Sequence, residues 1–111
     1  MKSLHEEVTN TTLAAGTNTL STTAASPARV NRITDLTFKY TGTVTNVRIE
    51  IKAGDKTIYK TTANPTSGQW ERVPNLGIIF LSAGEKIDMV ITDATLNDDA
   101  TLIVHGVELT A

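Results

Sequence analysis

The two histidines of the chain are the first residues that could bind a metal ion. His5 lies near the N-terminus and His105 lies in the last apolar segment. Zinc sites usually combine His, Cys and acidic residues at short spacings, and neither histidine has an acidic or cysteine cluster nearby. The sequence therefore predicts two isolated histidines and no metal site. We expect His105, beside Gly106, to be a packed or edge residue, because no nucleophile motif accompanies it.

An oxygen-rich segment is the second candidate for metal binding. It contains Asp93, Asn97, Asp98 and Asp99. Calcium prefers hard oxygen ligands of this kind, but the residues do not follow the order of an EF-hand loop. Asn and Asp also favour turns, because their side chains bond to nearby backbone groups. We expect a solvated turn here and no bound cofactor.

The aromatic residues raise the possibility of a sugar site. Trp70, Tyr40 and Tyr59 could stack on sugar rings, but aromatic residues make up only 5% of the chain. A lone Trp beside Pro74 is more typical of a core or interface anchor. The sequence also lacks a G-x-S-x-G motif, a phosphate-binding loop and a dinucleotide fingerprint. We therefore expect a protein that is not an enzyme, with sugar binding as the alternative.

Length and charge exclude several further classes. The chain has 111 residues, which is typical of one domain. A net charge of −2 gives no basic surface for nucleic acid or an anionic membrane. The longest apolar run, 78–81, is too short to cross a bilayer, and the first residues lack the apolar core of a secretion signal. The absence of cysteine favours a protein made in a reducing cytoplasm, or one stabilised by assembly and not by cross-links.

The remaining pattern predicts β-strands. Threonine, a β-branched residue, occurs 20 times. Alternation of apolar and polar residues is clearest in 47–51 and 86–92, and Ile33 breaks the parity of 36–40, which indicates a bulge near 31–34. About eight short strands, separated by Gly, Pro and Asn, predict an all-β, two-sheet antiparallel sandwich of the jelly-roll type.

The N-terminal segment carries few large apolar residues, among them Leu4 and Val8. We expect residues 1–16 to be a loosely ordered segment or arm and residues 17–111 to form the sandwich, with a frayed first strand as the alternative. Deleting residues 1–13 is then expected to change stability little. Leu4 and Val8 are candidate contacts with a partner.

The last strand carries aliphatic residues on both faces. Its spacing suggests that Ile103, Val107 and Leu109 face the core, so that Leu102 and Val104 point outward. Two outward aliphatics favour aggregation unless a neighbour covers them. Leu102, Val104 and Trp70 are therefore candidate interface residues, and Gly106 would allow a close approach by a partner's backbone. A loop of the same chain that covers this face is the alternative.

The turn Leu81-Ser82-Ala83-Gly84-Glu85-Lys86-Ile87 and the final segment 102–109 carry a family resemblance. With the size of the chain and its threonine-rich strands, they resemble the small jelly-roll capsid decoration proteins of tailed bacteriophages. Within this group, the chain resembles in size and strand order the cement or staple proteins of epsilon-fifteen-like podoviruses. The resemblance implies a virion protein, made in the host cytoplasm, that binds the outer capsid surface. It would hold neighbouring subunits of the major capsid protein together, as a homodimer at local two-fold axes.

Overall fold

The computed structural model describes residues 2–110, which form nine β-strands in two antiparallel sheets. Met1 and Ala111, the outer limits of the two predicted segments, lie outside the described residues. The predicted all-β sandwich is confirmed. The strands are β1 (Lys2–Asn10), β2 (Gly16–Ser21), β3 (Arg29–Thr41), β4 (Arg48–Ala53), β5 (Lys56–Lys60), β6 (Trp70–Arg72), β7 (Ile79–Leu81), β8 (Ile87–Ala94) and β9 (Asp99–Thr110).

The strand order is that of a jelly roll. One sheet has the order β1-β9-β3-β6, with β7 also pairing with β3, and the other has the order β2-β8-β4-β5. Strands β6 and β7 share one edge position, because Pro74 and the left-handed Asn75 and Gly77 interrupt the chain between them. The two sheets therefore have eight strand positions, in the arrangement expected of two packed Greek keys.

The core is built from the strands that alternate most regularly. Ile49 and Ile51 on β4 lie opposite Ile91 and Met89 on β8, and all four are fully buried. In β3, Leu36, Phe38 and Tyr40 are also fully buried, as their alternation predicts. Cβ atoms of opposed residues lie on the same side of a sheet, so these rows form continuous apolar layers between the two sheets.

A bulge in β3 occurs where the broken parity predicts it. The pairing of β3 with β9 shifts by one residue between Ile33 and Asp35. The extra residue, Thr34, donates a hydrogen bond from Oγ1 to the carbonyl oxygen of His105 at 3.2 Å. Because the bulge absorbs one residue, Ile33 and Leu36 both face the core even though their spacing has the wrong parity for a regular strand.

The N-terminal segment differs from the prediction of a loosely ordered arm. Lys2–Asn10 pairs with β9 in unbroken register, from Lys2 opposite Glu108 to Asn10 opposite Ala100. Leu13 is fully buried, and its backbone exchanges hydrogen bonds with the turn before β9. Within the described chain, residues 2–16 therefore form no loosely ordered arm, and the alternative of a first strand fits the structure. The effect of deleting residues 1–13 stays a prediction, and these contacts now favour a large loss of stability.

Candidate functional site

The predicted facing of the last strand is wrong. Leu102 and Val104 are 0% and 2% exposed and belong to the core, whereas Ile103 and Val107 lie half-buried on the outer face. The reason is the register with β3, which places Leu102 opposite the buried Phe38. Directly opposed residues share a face, so the core parity of β3 dictates that of β9. Leu102 and Val104 are therefore unavailable to a partner.

Gly106 permits a close approach within the chain. A Cβ atom at this position would overlap the carbonyl oxygen of Arg32 and lie 3.1 Å from its carbonyl carbon. It would also lie 3.2 Å from the Cα of Ile33, which is paired with Gly106 beside the bulge. The close backbone predicted at Gly106 thus belongs to β3 of the same chain and not to a partner.

Leu4 and Val8 lie on the inner side of β1. Both are half-buried and pack against the edge of the core. Between them, Glu6 accepts hydrogen bonds from the backbone N and the Oγ1 of Thr23, at 3.0 and 3.1 Å. This contact joins the first strand to the segment after β2, and so closes one lateral side of the sandwich.

Trp70 remains available as a surface residue. Its side chain is 46% exposed, and the Lys39 ammonium lies 4.6 Å from the centre of its ring. Tyr40 is fully buried and Tyr59 lies half-buried beside Phe38, with ring centres 6.1 Å apart. The three aromatic residues considered for a sugar site therefore do not form one shared surface.

A groove between β5 and β7 brings two large exposed apolar side chains together. Ile78 and Phe80 are 73% and 53% exposed, and they line a groove of about 270 Å³ with Ile58. We call this surface the apolar groove. Its remaining lining residues are Ala53, Ile79 and two charged rim residues, Lys56 and Glu85. An apolar centre with a charged rim is the usual anatomy of a protein interface. The sequence signal was the apolar run 78–81, which predicts a strand and does not show which of its residues are exposed.

A polar recess lies farther along the same lateral side. Glu71 on β6 faces Tyr59, Thr61 and Asn64 across a recess of about 140 Å³. The Oε2 atom of Glu71 is buried and has no hydrogen-bond partner among the described residues. A buried carboxylate oxygen needs a donor, and in this recess either a water molecule or a ligand hydroxyl can supply one. The sequence does not show this recess, because the inward position of Glu71 depends on its pairing with Phe38.

The acidic segment is structural. Asp98 accepts hydrogen bonds through Oδ2 from the Tyr40 hydroxyl at 2.7 Å and from the Thr43 backbone N at 2.9 Å. Asn97 takes a left-handed backbone conformation in this turn, and Asp93 takes one near the end of β8. Burial, and then the bond to Asp98, raise the pKa of Tyr40 to about 12. Asp98 therefore holds the β8–β9 turn against β3.

The two histidines, predicted to be isolated, lie side by side. His5 on β1 is directly opposite His105 on β9, and their ring centres are 4.4 Å apart with an angle of 73° between the planes. Both lie on the outer face, flanked by Ile103 and Val107. Sequence spacing could not show this pair, because only the β1–β9 register brings the ends of the chain together.

Among residues 2–110, no cluster of three or more His, Cys, Asp or Glu side chains is arranged to hold a metal ion. In the same range, no helix has the length and apolar character needed to cross a membrane. Comparison with protein-family models gives no match to the chain, and comparison with curated proteins gives none either. The surfaces described above are therefore the basis for a functional assignment.

Proposed function

We propose that this chain is a structural protein that binds the outer surface of a bacteriophage capsid and cements neighbouring major capsid subunits. The resemblance in size, in threonine-rich strands and in the 81–87 turn suggests a capsid decoration protein. The observation that carries the proposal is the apolar groove, where Ile78 and Phe80 expose 73% and 53% of their surface. Large exposed apolar side chains grouped in a groove are typical of a docking surface for another protein.

The groove suits an apolar segment of the major capsid protein. Ile58, Ile78 and Phe80 provide the apolar contact, and Lys56 and Glu85 offer one charge of each sign at the rim. Each attachment needs only modest affinity, because a shell presents many identical sites and a protein that bridges two of them gains by multivalency. In the homodimer that we propose, each copy contributes one such groove.

Co-sedimentation with capsids tests this function. The purified chain is mixed with empty capsids of epsilon-fifteen-like podoviruses, and pelleted protein is measured against concentration. The proposal predicts saturable binding that Phe80→Asp abolishes, because a charge would then be desolvated in the groove. Leu96→Asp is the matched control. Leu96 is 62% exposed and lies in the β8–β9 turn, at the other end of the strands from Phe80.

Two results would contradict the proposal. One is the absence of saturable binding to every capsid tested. The other is an equal loss of binding in Phe80→Asp and Leu96→Asp, which would point to a nonspecific effect of added charge. Sedimentation equilibrium tests the homodimer separately, since a monomer at capsid-binding concentrations would remove that part of the proposal and leave the groove in place.

The polar recess favours a second candidate function, binding of a sugar or a receptor glycan. The unpartnered Oε2 of Glu71 could accept a hydrogen bond from a sugar hydroxyl beside Tyr59. Trp70 lies on the opposite, outer face, so a sugar ring stacked on it would occupy a separate site. Glycan-array binding that is lost in Glu71→Gln or in Trp70→Ala, but kept in Phe80→Asp, would favour this function over capsid binding.

A further inference from the structure

We propose that His5 and His105 form a bidentate site for a divalent first-row transition metal ion, with Zn²⁺ as the reference case. These are the only two histidines in the chain. The pairing of β1 with β9 places them directly opposite each other, with ring centres 4.4 Å apart. Imidazole is a preferred ligand of Zn²⁺, Ni²⁺ and Cu²⁺, whereas Ca²⁺ and Mg²⁺ prefer oxygen ligands.

The distance between the rings suits chelation. A zinc ion lies about 2.0–2.1 Å from each coordinating nitrogen, which at a tetrahedral angle places two ring centres about 5 Å apart. The observed rings are closer than a chelate requires and meet edge to face, with 73° between their planes, so the side chains must rotate to direct one nitrogen each at the same ion. His5 is exposed and therefore free to make such a rotation.

The backbone beneath the pair holds both histidines in place. His105 lies on β9 between β1 and β3, and Thr34 donates a hydrogen bond to its carbonyl oxygen. His5 lies in the middle of a nine-residue strand with unbroken register. Two ligands fixed by a sheet lose little conformational freedom when they bind an ion, which favours chelation over binding by one imidazole.

The neighbouring charges are of both signs: Glu7 favours a cation, whereas Arg32, opposite Val107 on β3, adds a positive charge on the same face. Glu7 lies two residues from His5 on the same face of β1, at the diagonal position to His105. Asp35 is opposite His105 on β3, and its carboxylate is paired with Arg72 at 3.1 Å. Two imidazoles leave the remaining coordination positions of the ion to water. A bound ion would connect β1 to β9 and so slow the opening of the first strand.

Titration of the full-length, untagged chain with Zn²⁺ alone tests the site. Calorimetry should give one ion per chain, and the ring signals of both histidines should shift together in NMR spectra. His5→Gln and His105→Gln should each weaken binding by about tenfold or more, because each removes one arm of the chelate. Hydrogen exchange of the β1 amides should slow in the presence of Zn²⁺.

Two controls isolate the effect of the histidines. Thr9→Ala, on the same face of β1, should leave zinc binding unchanged, and Ca²⁺ should not shift the histidine signals. The proposal is overturned if millimolar Zn²⁺ does not bind, if binding is equal in both variants and the parent, or if only one histidine contributes. If His105→Gln fails to fold, His5→Gln decides, because His5 is exposed on an edge strand.

Discussion

Replacement of Gly106 by alanine would measure how closely β9 approaches β3. The added Cβ would overlap the carbonyl oxygen of Arg32 and lie 3.2 Å from the Cα of Ile33. Non-bonded carbon atoms are normally about 3.5–4.0 Å apart. Both obstacles are backbone atoms of a paired strand, so relief requires the two strands to separate beside the bulge.

The expected loss of stability follows from two opposing effects. Overpacking costs about 1–3 kcal/mol, and weakening one or two ladder hydrogen bonds adds about 1 kcal/mol each. Alanine would otherwise be favoured over glycine in a strand interior by about 0.5–1 kcal/mol. We therefore expect Gly106→Ala to lower the free energy of unfolding by about 2–4 kcal/mol. Without the close approach, the same change would stabilise the protein.

Equilibrium unfolding in urea measures this difference, with the midpoint and slope fitted together. Val107→Ile is the matched control, since it adds one carbon atom to the neighbouring residue on the open outer face. We expect that control to change the free energy of unfolding by less than about 0.5 kcal/mol. A Gly106→Ala protein as stable as the parent would refute the proximity of β9 and β3 at this position.

Three further changes test the packing of the strands. Val104→Lys should unfold the domain, because it buries an unpaired charge, whereas Ile103→Lys should leave the domain folded. Circular dichroism distinguishes the two outcomes. The reverse result would show that Ile103 faces the core and Val104 faces outward. Deletion of residues 1–13 should lower the melting temperature sharply, because it removes a whole strand, and an unchanged melting temperature would show that β1 is dispensable. Tyr40→Phe should cost about 1–2 kcal/mol near neutral pH, because Asp98 loses a donor. In the parent, the raised pKa of Tyr40 means that the free energy of unfolding is highest below pH 10 and falls as the pH rises toward 12. If Tyr40→Phe loses the same stability at alkaline pH, Tyr40 is not the cause.

The strands that could be predicted from the sequence are those with polar residues on one face only. Ile49 and Ile51 alternate with Arg48, Glu50 and Lys52, so only one face can be buried. In β9 both faces carry aliphatics, and the choice between them depends on the register with β3, which the segment does not encode locally. A single shift of register exchanges the two faces, and this is the physical reason why Leu102 and Val104 were placed outside.

For a related reason, the sequence gives a first strand only as the alternative to a loosely ordered arm. Its inner face has the order Leu4, Glu6, Val8, and the central carboxylate weakens the apolar pattern. That glutamate is satisfied by Thr23, which lies 17 residues away. The histidine pair depends on the same strand, because His5 meets His105 only when β1 is paired with β9. The uncertainty about one strand therefore left both the boundary of the domain and the histidine pair undetermined from the sequence.

The two lateral sides of the sandwich differ in a way that suits attachment to a partner. Glu6 closes the side between β1 and β2, where its bond to Thr23 joins the sheets. On the opposite side, the edge of one sheet is divided into β6 and β7, of three residues each. Short edge strands offer little backbone for unwanted sheet pairing. The division leaves Phe80 exposed at this side, so a partner would be held there by side-chain contacts and not by an added strand. The histidine pair lies on the outer face of β1 and β9, at the other edge of the same sheet, so that zinc binding and groove binding can be tested independently.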